Sequence, residues 1–106
     1  LRSAMETKIK NNTTQGTMQV VLHAAPGQNP GEIELLWQPL KDTSSYIVQV
    51  NMFIRSENTW KHTDIVSRTR YTATGLKSGK KYSFRVAPVT TSGRQEWSLP
   101  VTEAAA

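Results

Sequence analysis

The carboxylates that could act as an acid or a base are few and lie apart along the chain. There are eight, two Asp and six Glu, and the closest pair on one predicted strand is Glu32 and Glu34. Both are predicted on the outward side of that strand, whereas a catalytic carboxyl pair needs an enclosed setting. We interpret them as surface charge, and the sequence predicts no catalytic residue and no enzymatic activity.

The other residue types that perform chemistry also lack the arrangement they would need. His23 and His62 stand far apart without further ligands around either, and the sequence contains no cysteine, so no metal site is predicted. Ser98 has no histidine nearby and none of the glycines of a nucleophile elbow. No glycine-rich loop that could hold a phosphate is present, and no cofactor is expected.

The formal net charge of +5 raises the question of an anionic partner. The basic residues are spread among predicted turns and strand ends, and the compact group is Lys77, Lys80 and Lys81. These lysines lie in one turn without interleaved aromatic residues, so solvation explains them better than phosphate binding. We expect no nucleic-acid partner. Because no apolar run approaches the roughly 20 residues of a membrane helix, we also expect no membrane insertion.

Short strands separated by turn signals predict an all-β domain. Ile33, Leu35 and Trp37 alternate with mostly polar residues, and Tyr46 and Val48 continue the alternation in the next segment. Regularly spaced short strands are typical of an antiparallel sandwich rather than of βαβ units. The seven predicted strands are residues 17–24, 32–39, 46–53, 59–66, 70–76, 80–90 and 96–102.

The two ends of the sequence do not follow this pattern. Leu1, Met5 and Ile9 recur at every fourth position, which places them on one side of a helix. We interpret residues 1–16 as a linker or the end of an upstream helix, with coil as the alternative, and residues 17–103 as the domain. Residues 104–106 are expected to be a C-terminal tail or a cloning scar without a partner in the sandwich.

The stretch "YTATGLKSGKKYSFRV" (71–86) carries the most specific signal. Leu76, Gly79 and Tyr82 have the spacing Leu-x-x-Gly-x-x-Tyr of a tyrosine corner. In that motif the leucine fills the core, the glycine permits the turn, and the tyrosine hydroxyl bonds to the backbone just upstream. Together with "IELLWQP", "YIVQV" and "EWSLP", the motif resembles the fibronectin type III family from about Met18 to Thr102.

The resemblance implies a seven-stranded antiparallel immunoglobulin-like β-sandwich, in which strands A, B and E face strands C, C′, F and G. The residues predicted in its core are Trp37, Tyr46, Leu76, Tyr82 and Phe84. The loop "TTSGRQE" lacks the Arg-Gly-Asp tripeptide by which some members bind integrins. Only Trp97 and Ser98 remain of the Trp-Ser-x-Trp-Ser motif of cytokine receptors, so neither activity is carried over.

Arg85, Trp97 and Arg94 are the predicted partner contacts. Simple alternation would bury Trp97, but Pro100 suits a bulge or an edge strand, so the alternation need not survive across it. If Phe84 faces the core, Arg85 must face outward beside the last strand, where an outward indole of Trp97 would stack on its guanidinium. The receptor branch of the family uses an Arg and Trp stack of this kind. Two roles stay open for the stack, namely locking the last strand and contacting a partner.

These observations predict a non-catalytic module of a larger extracellular or cell-surface protein that acts as a spacer or an interaction domain. Its partners would be the neighbouring domains of the same chain and a protein or glycan, and the fragment is expected to be a monomer. The alternative is a dedicated recognition module that holds a protein or glycan on its loops or on the C′CFG face around Trp97 and Arg85.

Overall fold

The computed structural model of the protein describes residues 19–51 and 60–106, and the regular structure in these ranges is entirely β-strand. The helix considered for residues 1–16 lies outside the described residues. In chain order the strands are β1 (His23–Pro26), β2 (Ile33–Leu36), β3 (Ser45–Asn51), β4 (Lys61–Val66), β5 (Arg70–Ala73), β6 (Lys81–Thr90), β7 (Gly93–Arg94) and β8 (Val101–Ala104).

The strands form two antiparallel sheets that pack face to face. One sheet has the order β1-β2-β5, and the other has the order β4-β3-β6-β7, with β8 also paired to β6. These sheets correspond to strands A, B and E and to strands C, C′, F and G, with strand G divided between β7 and β8. The predicted immunoglobulin-like sandwich is confirmed. The outer surface of the second sheet is called the C′CFG face.

Alternation along β2 builds one wall of the core. Ile33 and Leu35 are at most 1% exposed, whereas Leu36 is 52% exposed on the other side of the strand. Trp37 lies just beyond the end of β2 and is still buried between the sheets. Its indole meets the ring of Tyr46 edge to face, with centroids 5.4 Å apart and planes at 66°. Aromatic pairs favour this arrangement because the positive ring edge faces the negative ring face.

Two buried tyrosines each hold a turn through the hydroxyl group. The backbone N–H of Lys77 donates to the Tyr82 hydroxyl at 2.9 Å, which is the contact that a tyrosine corner requires. In the same way, the N–H of Leu40 donates to the hydroxyl of Tyr46 at 3.1 Å. Each hydroxyl satisfies a backbone donor that the sheets leave unpaired, so each turn is fixed to the core.

The predicted strand over residues 96–102 is wrong in its bounds. β7 pairs with the end of β6 at residues 93–94, β8 pairs with its start at residues 101–104, and residues 95–100 between them are not strand. The carbonyl of Pro88 accepts a hydrogen bond from the N–H of Gln95, so the proline nitrogen, which has no hydrogen, faces the same side. Pro88 and Pro100 together remove the donors that a continuous strand G would use.

The expectation that residues 104–106 lack a partner is also wrong. Ala104 pairs with Lys81 at the end of β8, and Ala105 is 5% exposed in the core. The Ala105 carbonyl accepts from the Gly79 N–H at 2.9 Å, and the Ala106 carbonyl accepts from the Gly31 N–H at 2.6 Å. These residues therefore belong to the sandwich. They join the turn between β1 and β2, called the A–B turn, to the tyrosine corner between β5 and β6, called the E–F corner.

The first strand is shorter than predicted. Residues 17–24 were expected to form it, but β1 covers His23–Pro26 and so extends into the segment predicted as a turn. The alternation itself is present upstream of β1, because Val20 and Leu22 are buried while Val21 is 67% exposed. Residues 19–22 therefore pack on the core without joining a sheet.

Candidate functional site

Arg85 lies near the centre of the second sheet, on β6. Its neighbours Phe84 and Val86 are both 0% exposed in the core. Because successive side chains of a strand point to opposite sides, Arg85 projects onto the C′CFG face. The register of β3 and β6 places Gln49 directly opposite Arg85 on the same face.

Arg85 stacks against two indole rings. Its guanidinium carbon lies 4.2 Å from the ring centroid of Trp97 and 4.5 Å from that of Trp60. The guanidinium of Arg94 also lies over the ring of Trp97, at 4.9 Å. Trp60, Arg85, Trp97 and Arg94 thus alternate aromatic and cationic groups across the sheet, and we call these four side chains the Trp–Arg ladder.

Hydrogen bonds fix the orientation of the central guanidinium. The Nε and Nη2 atoms of Arg85 donate to the Oε1 atom of Gln49 at 2.9 and 2.7 Å. Burial lowers the pKa of Arg85, and the positive charge of Arg94 lowers it further. A guanidinium nevertheless stays charged near neutral pH, so the ladder carries two positive charges.

Ser98 holds Trp97 in place although this segment is not a strand. The N–H of Ser98 donates to the Val86 carbonyl at 2.8 Å, and the Ser98 Oγ accepts from the Val86 N–H at 3.0 Å. The hydroxyl of this buried serine thus replaces the carbonyl that a regular strand would supply. The Gln19 side chain donates to the Trp97 carbonyl at 3.1 Å. Trp97 itself is half-buried, and its ring lies on the C′CFG face.

Among the predicted contacts, the structure brings Arg85, Trp97 and Arg94 together, and it adds Trp60. Sequence reasoning placed Trp60 in a strand but gave it no role. A bulge between Val48 and Gln49 shifts the pairing of β3 with β4, so simple alternation does not reveal on which face Trp60 lies. The available signal was a third tryptophan at the start of the predicted strand 59–66, which forms the edge of the sheet that carries Arg85.

The predicted core residues differ in their burial. Trp37, Tyr46, Tyr82 and Phe84 are all between 0% and 4% exposed. Leu76 is only partly buried and packs at the margin of the core. The Nε1 atom of Trp37 is buried and has no hydrogen-bond acceptor within the described ranges.

Residues that could perform catalysis or bind metal are not gathered together in the described part of the chain. The side chain of Glu34 lies 4.0 Å from Arg70, a partly exposed ion pair, and the Glu32 carboxylate accepts from Asn29. His23 on β1 and His62 on β4 are exposed on different sheets. Residues 19–51 and 60–106 contain no cluster of three or more His, Asp or Glu that could hold a metal ion. Nor do they contain a helix of the length and hydrophobicity needed to cross a membrane.

Solved structures of similar fold come from proteins of very different size. A Fn3-like protein from Clostridium thermocellum is 22% identical with a TM-score of 0.70, and the match covers 81% of this chain and 88% of that chain. A beta-1,2-glucanase from Parabacteroides distasonis is 21% identical with a TM-score of 0.69, covering 82% of this chain and 12% of that chain. The twitchin kinase region from C. elegans is 20% identical with a TM-score of 0.60, covering 69% and 13%.

At these identities the structural matches establish the fold alone. In the glucanase and the twitchin region the matching part is a small share of a larger chain, so a domain of this fold occurs there as one part of a multidomain protein. The family model of the fibronectin type III domain matches residues 21–104, most of the sequence. On this match and on the tyrosine corner between Lys77 and Tyr82, the chain belongs to the fibronectin type III family.

Proposed function

We propose that this chain is a non-catalytic module of a larger extracellular or cell-surface protein, in which it spaces neighbouring domains and offers a surface for interaction. Domains of this fold within larger chains support the modular role. The proposed location rests on the sandwich architecture, which many cell-surface domains share. Scattered titratable residues in the described ranges support a role without catalysis.

The observation that carries the spacer role is the distance between the incoming and outgoing segments. Gln19 contacts Trp97, which lies beside Val86, whereas the N–H of Ala105 donates to the carbonyl of Lys80 at the start of β6. At about 3.3 Å per residue along β6, Lys80 and Val86 are roughly 20 Å apart. Gln19 therefore lies beside the middle of the sandwich and Ala105 lies at one pole, so the sandwich holds these two residues at a fixed separation.

A chain in which residues 19–106 link two fluorescent reporter domains tests this role. We expect energy transfer between the reporters to give a narrow distribution of distances, because the ordered sandwich fixes both attachment points. A Gly/Ser linker of the same length is the matched control, and it should give a broad distribution. Equal, broad distributions for the module and the linker would contradict the spacer role.

A second candidate function is recognition of a protein or glycan on the C′CFG face around Trp97 and Arg85. The specific observation in its favour is the Trp–Arg ladder, which leaves two cations and two indoles partly open to solvent. Trp and Arg are the residue types that most often dominate binding energy at interfaces.

A further inference from the structure

The Trp–Arg ladder concentrates positive charge that no carboxylate within the described ranges balances. The guanidinium carbons of Arg85 and Arg94 are at most about 9 Å apart, the sum of their distances to the Trp97 centroid. An ion pair does form between Arg70 and Glu34 on the other sheet, but neither ladder arginine has one in residues 19–51 and 60–106. Like charges this close repel, and an anion bound beside both of them, at the outer edge of the ladder, would relieve the repulsion.

Both arginines also keep donors for an incoming acceptor. Arg85 uses Nε and Nη2 to bond Gln49, which leaves Nη1 without an acceptor in the described residues. Arg94 donates through Nη1 to the Gln95 carbonyl at 3.1 Å, which leaves Nη2 and Nε. A guanidinium has five N–H groups arranged to match a carboxylate in pairs. The ladder therefore presents oriented and unused carboxylate-binding groups.

Guanidinium groups already occupy part of the indole surface. Trp97 carries two guanidinium groups and Trp60 carries one. A sugar ring that stacked on Trp97 would have to compete with both cations for the ring. The chemistry that the ladder leaves open is charge pairing at its outer edge, which favours an acidic ligand over a neutral glycan.

An apolar row lies beside the ladder on the same face. The register pairs Ile47 with Ile65 of β4 and with Ala87 of β6, two residues along from the pair Gln49 and Arg85. Two residues along a strand correspond to about 7 Å. Ile65 is 55% exposed and lies two strands from Arg85 in the order β4-β3-β6. With neighbouring strands about 4.8 Å apart, an apolar side chain is therefore available roughly 12 Å from the position of Arg85.

We propose that the Trp–Arg ladder and Ile65 form a docking surface for an extended, acidic protein segment. In such a segment, side chains two residues apart lie on one side about 7 Å from each other, within the separation of the two ladder charges, and side chains four residues apart lie about 13 Å from each other, close to the separation of Arg85 and Ile65. Carboxylates of the segment pair with Arg85 and Arg94, and an apolar side chain covers Ile65. This inference rests on the recognition role proposed above and names the chemistry of the partner.

The test uses the whole chain and a labelled peptide of about twelve residues, in which Glu alternates with Thr and one central Glu is replaced by Leu, so that the Leu lies on the same side as the remaining Glu side chains. Fluorescence anisotropy measures its affinity at low and at physiological salt. We expect saturable binding that Arg94→Gln weakens roughly tenfold, because a charge-assisted pair is lost. Arg94 is exposed, so this variant should fold normally.

Arg68→Gln is the matched control, since Arg68 is also exposed and lies in the turn between β4 and β5, away from the ladder. It removes the same charge and should change the affinity by less than about twofold. Equal weakening by both variants, or equal binding of a peptide with Gln in place of Glu, would overturn the proposal. Tighter binding of a sulfated oligosaccharide with the same number of charges would assign the surface to a glycan and would equally overturn it.

The outcome of the peptide-binding test is independent of the outcome of the reporter-distance test of the spacer role. Failure of the peptide to bind, with a narrow distribution of reporter distances, would reject the docking surface and leave the spacer role intact. A broad distribution of reporter distances with specific peptide binding would reject the spacer role and leave the docking surface intact.

Discussion

At the scale of single residues, Trp37 is the largest of the fully buried side chains in the described residues. Its side chain is 2% exposed, packs against Tyr46, and reaches inward from the end of β2. We expect Trp37→Ala to lower the free energy of unfolding by about 3 to 5 kcal/mol, because the cavity cannot be refilled. A melting curve measures this loss, and Ile65→Ala, which truncates an exposed side chain, should leave the curve nearly unchanged. Equal effects of the two substitutions would refute the packing described.

The hydroxyl of Tyr82 is expected to stabilise the protein separately from its ring. Tyr82→Phe keeps the buried ring and leaves the Lys77 N–H without its acceptor. The predicted loss is about 1 to 3 kcal/mol of unfolding free energy in denaturant titrations. Tyr71→Phe is the control, because no hydrogen bond to its hydroxyl is seen in the described residues. If the two variants are equally stable, the tyrosine corner contributes nothing beyond packing.

The sequence predicts on which face of the sheet some side chains lie, but not others. The outward position of Arg85 follows from strict alternation beside Phe84, and Pro100 gave the reason to doubt alternation at Trp97. Trp60 could not be placed in this way, because the bulge at Val48 and Gln49 changes which side of β4 faces solvent. Because a bulge depends on how two strands pair, the residue pattern of a single strand does not predict it.

At the scale of elements, the A–B turn depends on Gly31. This residue has a φ of 79°, and a Cβ built on it would lie 2.6 Å from the carbonyl oxygen of Leu76. Gly75 also has a positive φ, 71°, but nothing lies within 4 Å of its Cβ position. Gly75→Ala should cost about 1 to 2 kcal/mol from backbone strain alone.

Gly31→Ala carries the same strain and adds a collision with backbone, so it should cost at least about 1 kcal/mol more than Gly75→Ala. Thermal unfolding of both variants measures the difference. Equal melting temperatures would mean that the turn and the corner can separate at little cost, contrary to the hydrogen bond from the Leu76 N–H to the Gly31 carbonyl at 3.0 Å.

Elements with a local pattern were predicted, and those made by long-range backbone contacts were not. β2 and β6 follow from alternating residues, and their predicted ranges, 32–39 and 80–90, contain the observed strands. The sequence does not predict the hydrogen bonds by which Ala105 and Ala106 join Gly79 and Gly31. Alanine occurs in an exposed tail as readily as in a buried position. The division of strand G depends on Pro88 of the neighbouring strand, which the pattern of residues 96–102 does not include.

At the scale of the whole molecule, we expect the protein to have no catalytic activity and no tightly bound metal. If the chain is the non-catalytic module proposed above, the purified protein should hydrolyse no glycan, peptide or phosphoester. Elemental analysis after dialysis should find no stoichiometric zinc or calcium. A metal retained at one equivalent, or turnover that survives further purification, would contradict this prediction.

The bonds of Ala105 and Ala106 also determine how the sandwich responds to mechanical tension. A pull on Ala106 loads its hydrogen bonds from the Gly31 N–H and the Ser78 hydroxyl together with the backbone hydrogen bonds between β6 and β8. Because these bonds reach both the A–B turn and the E–F corner, they are loaded together instead of opening one after another. Single-molecule pulling between β1 and β8 should therefore unfold a Gly31→Ala chain at a lower force than the unmodified chain.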